Sequence, residues 1–148
     1  MFIGEYHSTL DAKGRVIVPS RIRDMVPREQ ESLGVYLVRG PGPYLHLYTA
    51  MRWEEIVEKM PKKAYSDAEY RNFVRLLLSS ASKEMWDRQG RIHIPEKLRN
   101  LAGIRKNLVF VGANDKVEIW DEEAWATFEK EKGTYFDRIA SELSDQLF

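Results

Sequence analysis

The sequence repeats itself. Laid over its own copy at an offset of 76 residues, it sets Asp11 on Asp87, Gly14 on Gly90, Arg15 on Arg91, Val16 on Ile92, Val18 on Ile94, Pro19 on Pro95 and Arg23 on Arg99. Further along the matching offset becomes 72, so that residues 45–48 meet 117–120 and Trp53 meets Trp125. The change of four residues falls where the first copy carries a longer loop containing Pro and Glu, residues 27–34. Gly, Pro, Arg and Trp recurring together at fixed spacing are hard to produce by chance. The chain is therefore expected to be two copies of one small unit that share a core.

Each unit reads as strand, turn, strand, short helix, two strands, helix, an α+β pattern. Residues 5–10 are predicted to be extended, residues 11–14 to turn, and residues 15–18 to alternate as a strand. Asp11 and Asp87 suit the first turn position, where a carboxylate accepts backbone N–H groups. Gly14 and Gly90 are expected to supply a positive φ in the turn. Pro19 and Pro95 are placed at the first position of short helices over 19–25 and 95–102, with Gly103 capping the second. Residues 35–38 and 45–48 flank Gly40-Pro41-Gly42-Pro43 as one hairpin, and residues 108–111 and 117–120 flank a second. Between the units, residues 49–60 and 66–80 are predicted helical. Ser66 and Glu69 resemble a capping box, and Tyr70, Phe73, Val74, Leu77 and Ala81 form one apolar face. Residues 122–148 are predicted helical with a break at Gly133-Thr134. The expected divisions are a first repeat over 1–53, a helical connector over 54–77, a second repeat over 78–125 and a C-terminal helical segment over 126–148.

Composition excludes several classes of function. The 148 residues contain no cysteine, which removes thiol catalysis, disulfides and cysteine-ligated zinc and suits a reducing compartment. No run of about 18 apolar residues is present, and the first residues lack the basic and apolar regions of a signal peptide. A cytoplasmic location is expected. His7, His46 and His93 are widely spread and show no metal-ligand spacing; Gly40-Pro41-Gly42 lacks the N–H donors of a phosphate loop; no serine sits in a nucleophile-elbow context. No enzyme, cofactor, metal or small-molecule substrate is expected. Net charge is zero, but residues 1–113 carry 19 Lys and Arg against 13 Asp and Glu, whereas residues 114–148 carry 4 against 10. A mildly basic body thus precedes an acidic end, which reads equally as a solvated acidic helix or as a face that repels polyanions.

The repeated turn carries the functional signal. Its Asp stabilises the loop, its Gly lets the chain bend, and its Arg opens the next strand with the side chain off the sheet. Arginine is shaped to donate two hydrogen bonds to guanine or to clamp a phosphate. Lys13 and Arg21 lie near Arg15 in sequence, and Arg88 lies near Arg91. The DNA-binding residues expected are Arg15, Lys13, Arg91, Arg21 and Arg88, on loops formed by Asp11, Gly14, Asp87 and Gly90. Lys13 in the first motif faces Gln89 in the second, so Arg15 and Lys13 are ranked above Arg91. The competing reading of each arginine is a plain ion pair, Arg15 with Asp11. An antitoxin-like interaction module is a further alternative, against which stand the duplication and the aromatic residues near the end of the chain.

Met1-Phe2-x-Gly4-Glu5-Tyr6, Asp11-x-Lys13-Gly14-Arg15 with Pro19, Ser80-Ala81-Ser82, and Asp87-x-x-Gly90-Arg91-Ile92-x-Ile94-Pro95 together resemble the MraZ family over essentially the whole chain. Val111-Gly112 and Glu118-Ile119-Trp120 add to the match. The resemblance implies two tandem AbrB-like swapped-hairpin units forming an intertwined pseudo-dimer barrel with flanking helices. It further implies a nucleoid-associated homo-oligomer, a ring, that binds double-stranded DNA at repeated short promoter boxes and regulates, commonly by repression, the division and cell-wall gene cluster and its own operon. Subunit contacts are assigned to Trp53, Ile56, Val57, Phe73 and Leu77 and to Trp125, Phe128, Tyr135 and Phe136.

Overall fold

The computed structural model describes residues 1–62 and 66–148. Among the described residues, eight strands and six α-helices follow the order of the two repeats. The first repeat holds β1 (Glu5–Thr9), β2 (Arg15–Ile17), α1 (Ser20–Asp24), β3 (Val35–Arg39), β4 (Leu45–Thr49), α2 (Ala50–Glu58) and α3 (Ala68–Ser80). The second holds β5 (Ser82–Glu84), β6 (Arg91–His93), α4 (Glu96–Leu101), β7 (Asn107–Gly112), β8 (Val117–Asp121), α5 (Glu122–Gly133) and α6 (Phe136–Leu147). The helices that follow each strand pair lie within the ranges predicted, α2 and α3 within 49–60 and 66–80 and α5 and α6 within 122–148. Within the expected 54–77 connector, residues 63–65 lie outside the described residues.

Strand pairing ties the repeats together. The main sheet runs β1-β7-β8-β4-β3-β5, antiparallel throughout, and β2 pairs with β6 in a second, two-stranded sheet. The order is palindromic: the first strand of each repeat lies against the third strand of the other, and β4 meets β8 at the centre. The β2–β6 ribbon has the same symmetry. Val16 faces Ile92 at its middle, while Val18 N–H donates to Gly90 O and Ile94 N–H donates to Gly14 O.

Alternation in the ribbon explains why it covers the sheet. Val16, Val18, Ile92 and Ile94 point inward and are at most 1% exposed, and they join Leu37, Leu45, Leu47, Leu108, Phe110 and Ile119 from the sheet in one core. Each such aliphatic side chain contributes about 1.5–3 kcal/mol on burial. Ile22 of α1 and Leu98 of α4 close the core at its sides. On the opposite sheet face, Val38, Tyr48 and Trp53 make a second cluster under α2 and α3.

Local differences from expectation have simple causes. Pro19 and Pro95 sit one residue earlier than predicted, at N-cap positions with ψ of 137° and 144°, because extended backbone at the end of the ribbon carries into them. The cap of α3 is Asp67, not Ser66; its carboxylate accepts from Glu69 N–H and Tyr70 N–H. The loop over 27–34 winds as a 3-10 helix, Arg28–Leu33. Gly103 ends α4 as foreseen, with its N–H bonded to Asn100 O and that of Ile104 to Arg99 O. The C-terminal break also falls where expected, between α5 and α6.

Candidate nucleic-acid interface

Both repeated turns close in the same way. Asp11 Oδ1 accepts from Lys13 N–H and Arg15 N–H, each at 2.9 Å, and Gly14 N–H donates to Asp11 O. Asp87 Oδ1 does the same for Gln89 at 2.9 Å and Arg91 at 3.0 Å, and Gly90 N–H donates to Asp87 O. These bonds stabilise the ionised carboxylate, so the pKa of each aspartate is lowered, chiefly by the backbone N–H of Arg15 or Arg91. Gly14 and Gly90 have φ of 76° and 79°, as predicted, and a side chain at either would meet a guanidinium.

That guanidinium comes from the other repeat. A Cβ on Gly90 would lie 2.7 Å from Arg23, and one on Gly14 would lie 3.2 Å from Arg99. Both arginines are pinned from behind, Arg23 Nε–H to Val18 O and Arg99 Nε–H to Ile94 O, each at 3.0 Å. Cations adjacent in sequence are thus divided in space. The ribbon carries α1, with Arg21 and Arg23, to the end where the second turn lies. One end of the ribbon gathers Asp11, Lys13, Arg15, His93 and Arg99; the other gathers Asp87, Arg88, Arg91, Ile17 and Arg23.

Arg15 and Arg91 form the ion pair that the competing reading foresaw. Arg15 Nε–H donates to Asp11 Oδ2 at 2.8 Å, and Arg91 Nε–H to Asp87 Oδ2 at 2.9 Å. The pair engages one of the five guanidinium N–H groups. Neither Nη of either arginine has a hydrogen bond among the described residues. Their side chains remain 32% and 27% exposed. The aspartate therefore fixes the guanidinium plane from its Nε side and leaves the two-pronged edge accessible.

Lys13, Arg21, Arg88 and Gln89 are exposed. Pairing of Arg15 with His93 and of Ile17 with Arg91 makes these four side chains the outer face of the ribbon. His93 is exposed and Ile17 is half exposed. The sequence alone has no reason to seat His93 beside Arg15. Nor does it single out Ile17, or assign Arg23 and Arg99 as supports. Alternation along β2 and β6 marks which residues face outward; which strand lies alongside is a long-range fact.

The molecule is thus a tandem-repeat α+β protein that displays two arginine-bearing turns at the ends of one β-ribbon. Its sequence matches the family model described as "MraZ protein, putative antitoxin-like" twice, over residues 1–76 and 77–146. The chain belongs to the MraZ family. It is 36% identical over 145 residues to a protein of Lactobacillus helveticus named transcriptional regulator MraZ, covering 98% of each chain. A protein of the same name from Finegoldia magna is 35% identical, again over 145 residues and 98% of each. No described helix is long and apolar enough to cross a membrane.

Proposed function

We propose that this protein is a DNA-binding transcriptional regulator whose β2–β6 ribbon and two flanking turns contact double-stranded DNA. The observation that carries the reading is the duplication of a supported, outward arginine at both ends of one ribbon. Gly14 stands opposite Ile94 and Gly90 opposite Val18, so the turns are four residues apart along the ribbon, about 13 Å at 3.3 Å per residue. The major groove is about 12 Å wide and admits a two-stranded ribbon. Arg15 and Arg91 read base edges or clamp phosphate, Lys13, Arg21 and Arg88 supply phosphate contacts, and the aspartates hold the turns in shape.

The names of the relatives support regulation of transcription. The family resemblance extends the proposal to repression of the division and cell-wall cluster and of its own operon, in the nucleoid, without catalysis. We read the palindromic strand exchange as the AbrB-like swapped-hairpin barrel, with the two repeats acting as a pseudo-dimer. A single pair of turns binds weakly, and a ring presenting several pairs to repeated promoter boxes gains affinity through effective concentration.

A gel shift on the DNA upstream of the gene tests the proposal. Arg15→Ala is expected to abolish specific binding and Arg91→Ala to weaken it less, with folding and assembly unchanged. Unaltered affinity in Arg15→Ala removes the turn from the mechanism, and retention of a protein partner instead of DNA favours the antitoxin-like reading.

A further inference from the structure

We propose that Ile17 and His93 set the DNA sequence this protein prefers, and that the difference between them makes the element it reads directional. The inference rests on the ribbon reading of the proposed function and names the side chains that distinguish bases beyond the two arginines. Arg15 pairs with His93 and Ile17 with Arg91, so four outward side chains form a two-by-two array on the ribbon. Partners across the ribbon stand about 5 Å apart at Cβ, and the diagonal arginines about 7–8 Å. Base pairs rise by about 3.4 Å. The array therefore spans roughly two base-pair steps, and Ile17 and His93 fall on bases beside those that the arginines occupy.

The offset of 76 carries Arg15 onto Arg91 and Ile17 onto His93. The ribbon thus has an approximate two-fold axis at the Val16–Ile92 pair, which its outward arginines obey and its other two outward side chains break. A two-fold reading surface selects a palindrome, since the symmetry of an operator mirrors that of the protein. The turns differ as well, Ala12 and Lys13 against Arg88 and Gln89. Those side chains lie at the ends of the ribbon, where contacts to phosphate fix register without carrying sequence. Base-sensitive asymmetry is left to Ile17 and His93.

The two side chains ask for different bases. Ile17 is half exposed, and Ser8 Oγ donates to its carbonyl at 3.0 Å, which holds the backbone where the side chain leaves it. An apolar side chain beside a guanidinium gains only by covering another apolar group, and in the major groove that group is the C5 methyl of thymine. His93 is exposed, and neither of its ring nitrogens has a hydrogen bond among the described residues. Its Nε2 lies 3.4 Å from where a Cβ on Gly14 would stand, whereas the three atoms nearest that place on Gly90 all belong to Arg23. The imidazole therefore leans over the turn that carries Arg15. An imidazole N–H donates to the N7 of a purine, an acceptor that neither pyrimidine has. The Arg15 end thus prefers a purine beside the base held by its arginine, and the Arg91 end prefers thymine.

Selection of bound duplexes from a random pool, followed by sequencing, tests this on the full-length chain. The wild type is expected to enrich a non-palindromic element. Ile17→His and His93→Ile make the two ends of the ribbon alike, and each is expected to shift the enriched element to a palindrome, with purine flanking both arginine-read bases in the first and thymine in the second. Both changes lie on the outer face, so circular dichroism is expected to match the wild type. Base analogues placed in the enriched element give a second readout. Uracil for the preferred thymine removes one methyl and is expected to lower affinity about fourfold, the worth of one buried carbon. A 7-deazapurine at the other end removes one acceptor and is expected to lower it about fivefold. Ile17→Ala is expected to erase the first loss and His93→Ala the second. A palindromic wild-type element, variants that keep the wild-type element, or analogues without effect overturn the proposal, and loss of binding in Arg15→Ala then leaves the DNA reading standing. If the wild type enriches no element and Arg15→Ala binds DNA as the wild type does, both readings fall together.

Discussion

The aspartate of each turn controls what its arginine can do. Asp11 uses one oxygen for two backbone N–H groups and the other for Arg15 Nε–H, so turn closure and side-chain aim depend on the same ionised group. Its pKa is lowered in the folded chain, which makes the contribution full above the ordinary carboxylate range and lost as the pH falls through the folded value. Acidification below that range is expected to loosen both turns before the core, visible as early changes in the Lys13 and Gln89 amide resonances. Asp11→Ala is expected to lower promoter affinity in a gel shift although it removes a negative charge, because the guanidinium loses its support. A rise in affinity would show that the aspartate only masks the arginine. Gly90→Ala places a Cβ at positive φ and against the anchored Arg23 guanidinium, and is expected to cost about 1–2 kcal/mol or more in denaturant unfolding.

The β2–β6 ribbon shows at the level of elements how seating and display are joined. Three ladder residues per strand would be marginal alone, and the inward Val16 and Ile92 are what hold it on the sheet. Ile92→Ala is expected to cost about 2–5 kcal/mol and to weaken DNA binding, whereas Ile17→Ala on the outer face is expected to leave unfolding nearly unchanged. A second seam joins β1 to α5. Both ring nitrogens of His7 face carboxylates, Glu122 at 3.1 Å and Glu5 at 3.0 Å, and Trp125 Nε1–H also donates to Glu5. The bond to Glu122 first, then that to Glu5, raises the His7 pKa. A raised value means the contact is complete below the ordinary histidine range and is lost as the pH rises through the folded value. Indole exchange of Trp125 is expected to quicken on crossing it, and a flat profile would show that α5 is held by packing alone.

For the molecule as a whole, equal totals of acid and base conceal an uneven distribution, with a net excess of acidic side chains after residue 113. The proposed DNA face lies on the ribbon and the acidic helices elsewhere, so the field orients the molecule as well as attracting it. Promoter affinity is expected to fall with salt by about 0.9 log units per neutralised phosphate per log unit of salt. Titration with potassium chloride checks this, and a flat response points to a partner that is not a polyanion.

Much of this architecture was readable from local signals. Glycine at residues 14 and 90, aspartate three residues before each, and alternating Val and Ile specify a turn and a strand through short-range sterics and hydrogen bonds, and their recurrence revealed two units. The same locality explains what was missed. Pairing of β1 with β7, the seating of His93 beside Arg15 and the placement of Arg23 over Gly90 join residues 76 or more apart in the first two cases and 67 in the last. Such contacts follow from the cheapest way for two half-buried units to cover one another's apolar faces, a property of the assembled core that no window of sequence contains.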